Sequence, residues 1–302
     1  MTYSSETWFS FLTSNTLSVL GDNKFLFKFS HTKSSMWQLN PDRDLRVSLV
    51  QTELHWNQPK ANRAMLEESI TPLCGITDLI LLPEMFTSGF ALEPSEIDLE
   101  KDYEHTCAWM IEQASKTGAA LCGSVLYQQD DKRHNRFLFA SPTGDLWHYD
   151  KTHLFRMAGE HERYQAGKER KVFDYLGWRI LPTVCYDLRF PVFMRNRGDY
   201  DLMVCVANWP ASRRKPWRTL LQARSIENLS YVAGVNRVGQ DGKGLDYSGD
   251  SMIIDFKGDH LIDHPENHAF VETAALSASK LASFREEFPA WQDADGFSLD
   301  HS

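Results

Sequence analysis

The 302-residue sequence has no apolar run near the ~20 residues that a membrane span requires, so no membrane partner is expected. Its first twenty residues contain Glu6 and neither Lys nor Arg, and so lack the charged start of a secretory signal. There is no basic surplus. Acidic residues number 41 against 32 Lys and Arg, a net charge of −9 that gives no reason to expect nucleic acid or an anionic surface as partner. Cysteine is scarce and unpaired in pattern: Cys74, Cys107, Cys122, Cys185 and Cys205 are odd in number and include no CxxC. This predicts a reduced, cytoplasmic protein without a disulfide framework, in which most thiols act as small core hydrophobes. The eleven histidines form no HxH or HExxH, so no metal is expected. The one glycine-rich stretch, "GQDGKG" at 239–244, does not fit GxGxxG and no helix follows it. It reads as a mobile loop, and no cofactor is expected.

What is present is ordinary for a soluble globular chain: 42% hydrophobic and 24% charged residues. Residues 1–44 are rich in Ser, Thr and Phe without a sustained period. They read as a loosely attached extension, or as a translated upstream region with Met36 as the true start. From Leu45 the pattern is regular. "LRVSLVQ" and "TDLILLPE" are buried strands, and "NQPKANRAMLEESITPL" is a helix with Asn57 as cap and Pro59 in its first turn. "LEKDYEHTCAWMIEQASKTG" is a helix closed by Gly118. "WRILPTVCYD" and "YDLMVCVAN" are further strands, and "WRTLLQARSIENL" is another helix. Alternation of strands and helices predicts an α/β fold with mixed sheets. One domain is expected over 45–290, followed by a tail at 291–302.

Three strands end on chemistry. Glu84 follows "LILLP", Lys151 follows "WHYD", and Cys185 follows "ILPTV". In α/β sheets ligands gather beyond the carboxyl ends of strands, so three such exits can converge. Each alone has an ordinary reading: a solvated acid, a surface lysine, a core thiol. Together, "PEMF", "YDKTHLF" and "CYDLRFP" resemble the three signatures of the nitrilase (carbon-nitrogen hydrolase) superfamily, in order and in separation. "ANWPASR", "WRTLLQARSIEN" and "YVAGVNRVGQDGKG" resemble its bacterial omega-amidase branch more narrowly. The resemblance runs from about Leu45 to Trp291.

That resemblance implies a four-layer α-β-β-α sandwich with two mixed sheets, and a Glu-Lys-Cys triad carried onto Glu84, Lys151 and Cys185. The family's second glutamate falls on Glu160 in "GEHERYQAG", with Glu162 as the competing position. It further implies hydrolysis of the terminal amide of a short α-keto acid, such as 2-oxoglutaramate or 2-oxosuccinamate, by a homodimer without a cofactor. A thiol can form a thioester and split a hard hydrolysis into two easier steps. Glu84 would carry the proton from sulfur to the leaving amine and then activate water. Lys151 and the backbone N–H of Tyr186 would stabilise the oxyanion.

Other assignments stay open at this level. Asp187 and Arg189 read as a structural ion pair at the Cys185 turn. Asn208 and Trp209 follow a strand exit and either line the pocket or pack. Arg213, Arg214, Lys215 or Arg156 could receive a substrate carboxylate. The alternatives are a nitrilase or amidase of another small molecule and a catalytically silent binding module; a papain-like pairing of Cys185 with His153 is set aside, because nothing supplies the flanking signature of such a protease.

Overall fold

The structure, a computed structural model, describes residues 40–94 and 96–299. The expected extension therefore lies outside the described residues for positions 1–39, as does Met36. Its last five positions are described and are tied to the fold. Trp178 Nε1 donates to the Arg43 carbonyl at 2.8 Å, and Asp44 accepts from Ala278 N at 2.8 Å.

The first sheet contains β1 (Leu45–Gln51), β2 (Leu79–Leu81), β3 (Ala120–Gln129), β4 (Lys132–Ala140), β5 (Leu146–Asp150) and the late strand β14 (Phe270–Leu276). The second contains β6 (Phe173–Tyr175), β7 (Trp178–Val184), β8 (Leu202–Val206), β9 (Tyr231–Val235), β12 (Met252–Ile254) and β13 (His260–Asp263). Their orders are β14-β1-β2-β3-β4-β5 and β13-β12-β9-β8-β7-β6. In each, three parallel strands (β1-β2-β3 and β7-β8-β9) are flanked by one antiparallel neighbour on one side and two on the other. The second sheet thus repeats the pairing order of the first. A separate two-stranded hairpin joins β10 (Val238–Gln240) to β11 (Asp246–Ser248).

Side chains alternate across a strand, and this separates the layers. Leu45, Val47 and Leu49 of β1, with Phe137 and Phe139 of β4, belong to the large core that also holds the second sheet. Val50 and Leu138 instead join Leu66 and Ile70 of helix α1 (Pro59–Ile70) and Met110 and Ala114 of helix α2 (Leu99–Thr117). Three short or long helices follow in the chain: α3 (Glu160–Arg163), α4 (Pro191–Met194) and α5 (Arg214–Asn228). Trp217 and Leu221 of α5 and Leu281 of α6 (Ala278–Glu287) cover the second sheet. The result is helix, sheet, sheet, helix.

Local expectations fare unevenly. Gly118 closes α2 in the left-handed region at φ 70°, and Asp98 caps its start. Helix α1 is capped differently from expectation: Gln58 holds the cap position, because Asn57 is used one residue earlier to turn the chain at φ 53°. "GQDGKG" is not an unstructured loop. It forms the hydrogen-bonded end of the β10–β11 hairpin, with Asp241 N donating to Leu245 O at 3.0 Å.

Candidate active site

Glu84, Lys151 and Cys185 follow β2, β5 and β7, at one end of the sandwich. Glu84 and Lys151 are fully buried. Lys151 Nζ donates to Glu84 Oε1 at 2.9 Å and to both oxygens of Glu160 at 3.0 and 3.1 Å. Glu160 is buried at the start of α3, whereas Glu162 is exposed and contacts Arg163, so it is Glu160 that joins the cluster. The loop leading to Glu160 is closed by its own carboxylate, which accepts Phe155 N at 2.6 Å.

Two carboxylates around one ammonium leave a net negative charge in a dry site. Such a cluster is tolerated only when the remaining lone pairs are satisfied. Asn135 does much of this. Its Nδ2 donates to Glu84 Oε1 at 2.7 Å and to Glu160 Oε1 at 3.3 Å, while its carbonyl accepts Lys151 N at 2.9 Å. Nothing at the sequence level singled out Asn135. The available signal was an amide on the same face of β4 as Phe137 and Phe139, where an apolar side chain is expected.

Asn208 satisfies the other oxygen of Glu84. Its backbone N–H donates to Glu84 Oε2 at 2.8 Å, its side-chain amide donates to the Glu84 carbonyl, and Glu84 N donates to Ala207 O at 3.4 Å. Glu84 follows β2 and Asn208 follows β8, the equivalent central strands of the two sheets. The repeated topology thereby brings both exits together.

Cys185 takes φ 47°, a left-handed backbone that is uncommon for any residue with a Cβ. Asp187 supports it by accepting Val184 N at 2.9 Å. The expected Asp187–Arg189 ion pair is absent among the described residues. Asp187 points inward instead and accepts from Tyr149 OH at 2.8 Å, His153 N at 2.9 Å and the His153 ring at 2.7 Å. Tyr149 and His153 flank Lys151 in sequence, so one buried carboxylate ties the Lys151 loop to the Cys185 turn. With its Nδ1 on Asp187 and its ring stacked on Phe190, His153 is committed elsewhere than to the thiol.

The electrostatics follow from burial and partners. Burial alone would lower the Lys151 pKa, but the carboxylates of Glu160 and Glu84 outweigh it and hold the ammonium well above its ordinary value. Burial raises the Glu160 pKa, and Lys151 only partly opposes this. Burial pushes the Cys185 thiol well up and the charge of Glu84 pushes it further, with Lys151 pulling the other way. The resting sulfur is therefore a thiol beside a carboxylate, and it needs a base to become a nucleophile.

Above these groups lies a cavity of about 80 Å³. Lys151 and Cys185 form part of its lining, as do Tyr186, Asn208 and Trp209. Of the cations considered for a substrate carboxylate, only Arg213 reaches it, joined by Arg189, which sequence reasoning had assigned to the turn. Arg189 lies 5.1 Å from the Trp209 ring and Arg213 lies 5.4 Å from the Phe155 ring. Neither forms an ion pair among the described residues. Arg214 is held by Asp250, Lys215 lines a different surface cavity, and Arg156 is exposed and does not line this cavity. The described residues contain no group of acidic, His or Cys side chains placed to hold a metal ion.

Residues 46–286 match the family model for carbon-nitrogen hydrolases. The chain is 48% identical to an omega-amidase, YafV, of Escherichia coli strain K12, over 84% of this chain and 98% of the relative. It is 29% identical to a 2-oxoglutaramate amidase of Bacillus subtilis strain 168, over 82% and 96%. A crystal structure of a CN-hydrolase superfamily protein from Xanthomonas campestris, with an arsenic adduct in its active site, superposes with a TM-score of 0.81. That protein is 48% identical, and the match covers 85% of this chain and 99% of the other.

Proposed function

Because the chain belongs to the carbon-nitrogen hydrolase family, we infer that it is a thiol-dependent omega-amidase acting on the terminal amide of a small α-keto acid. One observation carries the reading to this chemistry. The Cys185 thiol and the Lys151 ammonium line a small cavity, the buried Glu84 carboxylate is bonded to that ammonium from behind, and the cavity wall holds two guanidinium groups that have no carboxylate partner among the described residues.

On this reading the Cys185 thiol attacks the amide carbon as Glu84 takes the S–H proton. The tetrahedral oxyanion is held by Lys151 Nζ and the Tyr186 backbone N–H. Collapse breaks the C–N bond, and Glu84 returns its proton to nitrogen, which leaves as ammonia. Glu84 then removes a proton from water, which attacks the thioester carbon. The C–S bond breaks, the thiol is re-formed, and a dicarboxylate departs. Glu160 keeps Lys151 charged and in place, and Asn135 orients both carboxylates. The substrate carboxylate is gripped by Arg189 and Arg213, and Trp209 and Asn208 complete the wall. The same reading takes the protein to be cytoplasmic, in keeping with five unpaired cysteines, and a homodimer like those of the family. Among the described residues no helix is long and apolar enough to cross a membrane.

The test is ammonia release from 2-oxoglutaramate, 2-oxosuccinamate, neutral aliphatic amides and nitriles. The α-keto acid amides should lead in kcat/KM. Arg189→Leu should raise KM for them by about 10- to 150-fold, the equivalent of losing one hydrogen bond to a charged group. Neutral amides should be nearly unaffected by that change. A wild-type preference for nitriles or neutral amides would overturn the substrate assignment.

A further inference from the structure

The β10–β11 hairpin belongs to neither large sheet, yet it supplies Leu245 and Tyr247 to the cavity. We propose that this hairpin, through Leu245, sets the upper size limit of the amide that the site accepts. The proposal rests on the amidase reading above and adds a specificity-determining residue to it.

Two features make the hairpin suited to this. It is held firmly. Arg237, fully buried just before β10 and without an ion pair among the described residues, donates to the carbonyls of Val238 at 3.1 Å, Gln240 at 3.0 Å and Leu54 at 3.4 Å. Its guanidinium also lies 4.9 Å from the Tyr247 ring centre. Tyr247 OH in turn donates to Asp241 Oδ2 at 3.1 Å, and Asp241 Oδ1 accepts the N–H of Lys243 at 2.8 Å and of Leu245 at 3.0 Å. Gly242 packs against Trp56, so close that a Cβ there would come within 2.4 Å of the indole. The position of Leu245 is therefore fixed through its own N–H and carbonyl, both bonded to Asp241.

The second feature is where Leu245 sits. It is 48% exposed and yet lines the cavity, so it stands at the mouth with one face turned inward. Trp209, by contrast, is 3% exposed and packs against Trp217, while Lys151 and Cys185 are reserved for chemistry. An acyl chain extended by one or two methylenes must run past Leu245. Its size can change without opening the core, which is not true of the deeper wall.

Leu245→Ala and Leu245→Trp test this in the full-length protein, with kcat/KM measured for the terminal amides of four-, five- and six-carbon α-keto dicarboxylic acids. The Ala variant should raise the six- to four-carbon ratio by at least about tenfold, the low end of what one methylene is worth in an apolar pocket, and the Trp variant should lower it. Both should unfold within a few degrees of the wild type. A ratio unchanged within about twofold in both variants would overturn the proposal. If the wild type hydrolyses no α-keto acid amide, the substrate assignment fails by itself. The same ratio is then read from hexanamide and butanamide, and an unchanged value there counts against Leu245 independently. Hydrolysis of neither series removes both readings.

Discussion

Cys185→Ala protein is expected to fold as the wild type does and to release no measurable ammonia. The rate should fall by about 10⁶-fold, the scale on which a hydrolase loses turnover when its covalent nucleophile is removed. Nothing in the remaining site substitutes for the sulfur. Glu84 is held by Lys151, Asn135 and Asn208, and it has no geometry for attack once these bonds are made. Stability should change by about 1 kcal/mol or less. Alanine carries the same Cβ as cysteine, so the left-handed backbone at φ 47° is no more strained than before. Circular dichroism and thermal melts check the fold, and an ammonia assay checks the rate. Retention of even one per cent of wild-type turnover would remove Cys185 from the chemistry.

The second large effect concerns Lys151. Complete burial between two carboxylates gives this ammonium a structural weight besides its place in the site. Lys151→Met leaves Glu84 and Glu160 facing each other without a counter-charge. Breaking a buried pair in this way costs about 3–5 kcal/mol. For a chain of this size the melting temperature should fall on the order of 10 °C. Turnover should fall by at least about 10²- to 10³-fold, since an oxyanion donor is also lost. The double variant Lys151→Met with Glu160→Gln separates these contributions. It removes one of the stranded charges and should recover much of the stability while recovering none of the rate. A double variant as unstable as the single one would mean that the ammonium's structural role is not to balance charge.

The positions that could be read from the sequence were those that break a local pattern. Glu84 and Cys185 each interrupt an apolar strand end, so their residue types stand out against what precedes them, whereas Lys151 follows the polar "WHYD" and is legible only through the "YDKTHLF" signature. Asn135 did not stand out because its partners, Glu84 and Glu160, are remote in sequence and meet it only after β4 is docked between its neighbours. Asp187 and Arg189 looked like a pair because they are close in the chain. In the fold they point apart, Asp187 to Tyr149 and His153, and Arg189 to Trp209. Opposite charges two residues apart on a tight turn say nothing about which way each side chain faces. "GQDGKG" looked mobile because glycines suggest freedom. One of them instead permits close packing on Trp56. The repeated pairing order of the two sheets was invisible for a similar reason: it lies in contacts between strands, not in any repeated string of residues.

The most direct measurement is to quench the wild-type protein in acid during turnover of 2-oxoglutaramate and weigh the peptide that carries Cys185. The acyl group of the substrate, its mass less that of ammonia, should appear on that peptide, and hydroxylamine added during turnover should divert the acyl group to a hydroxamate. Rapid ammonia release with the peptide always unmodified and no hydroxamate formed would contradict a sulfur-bound intermediate.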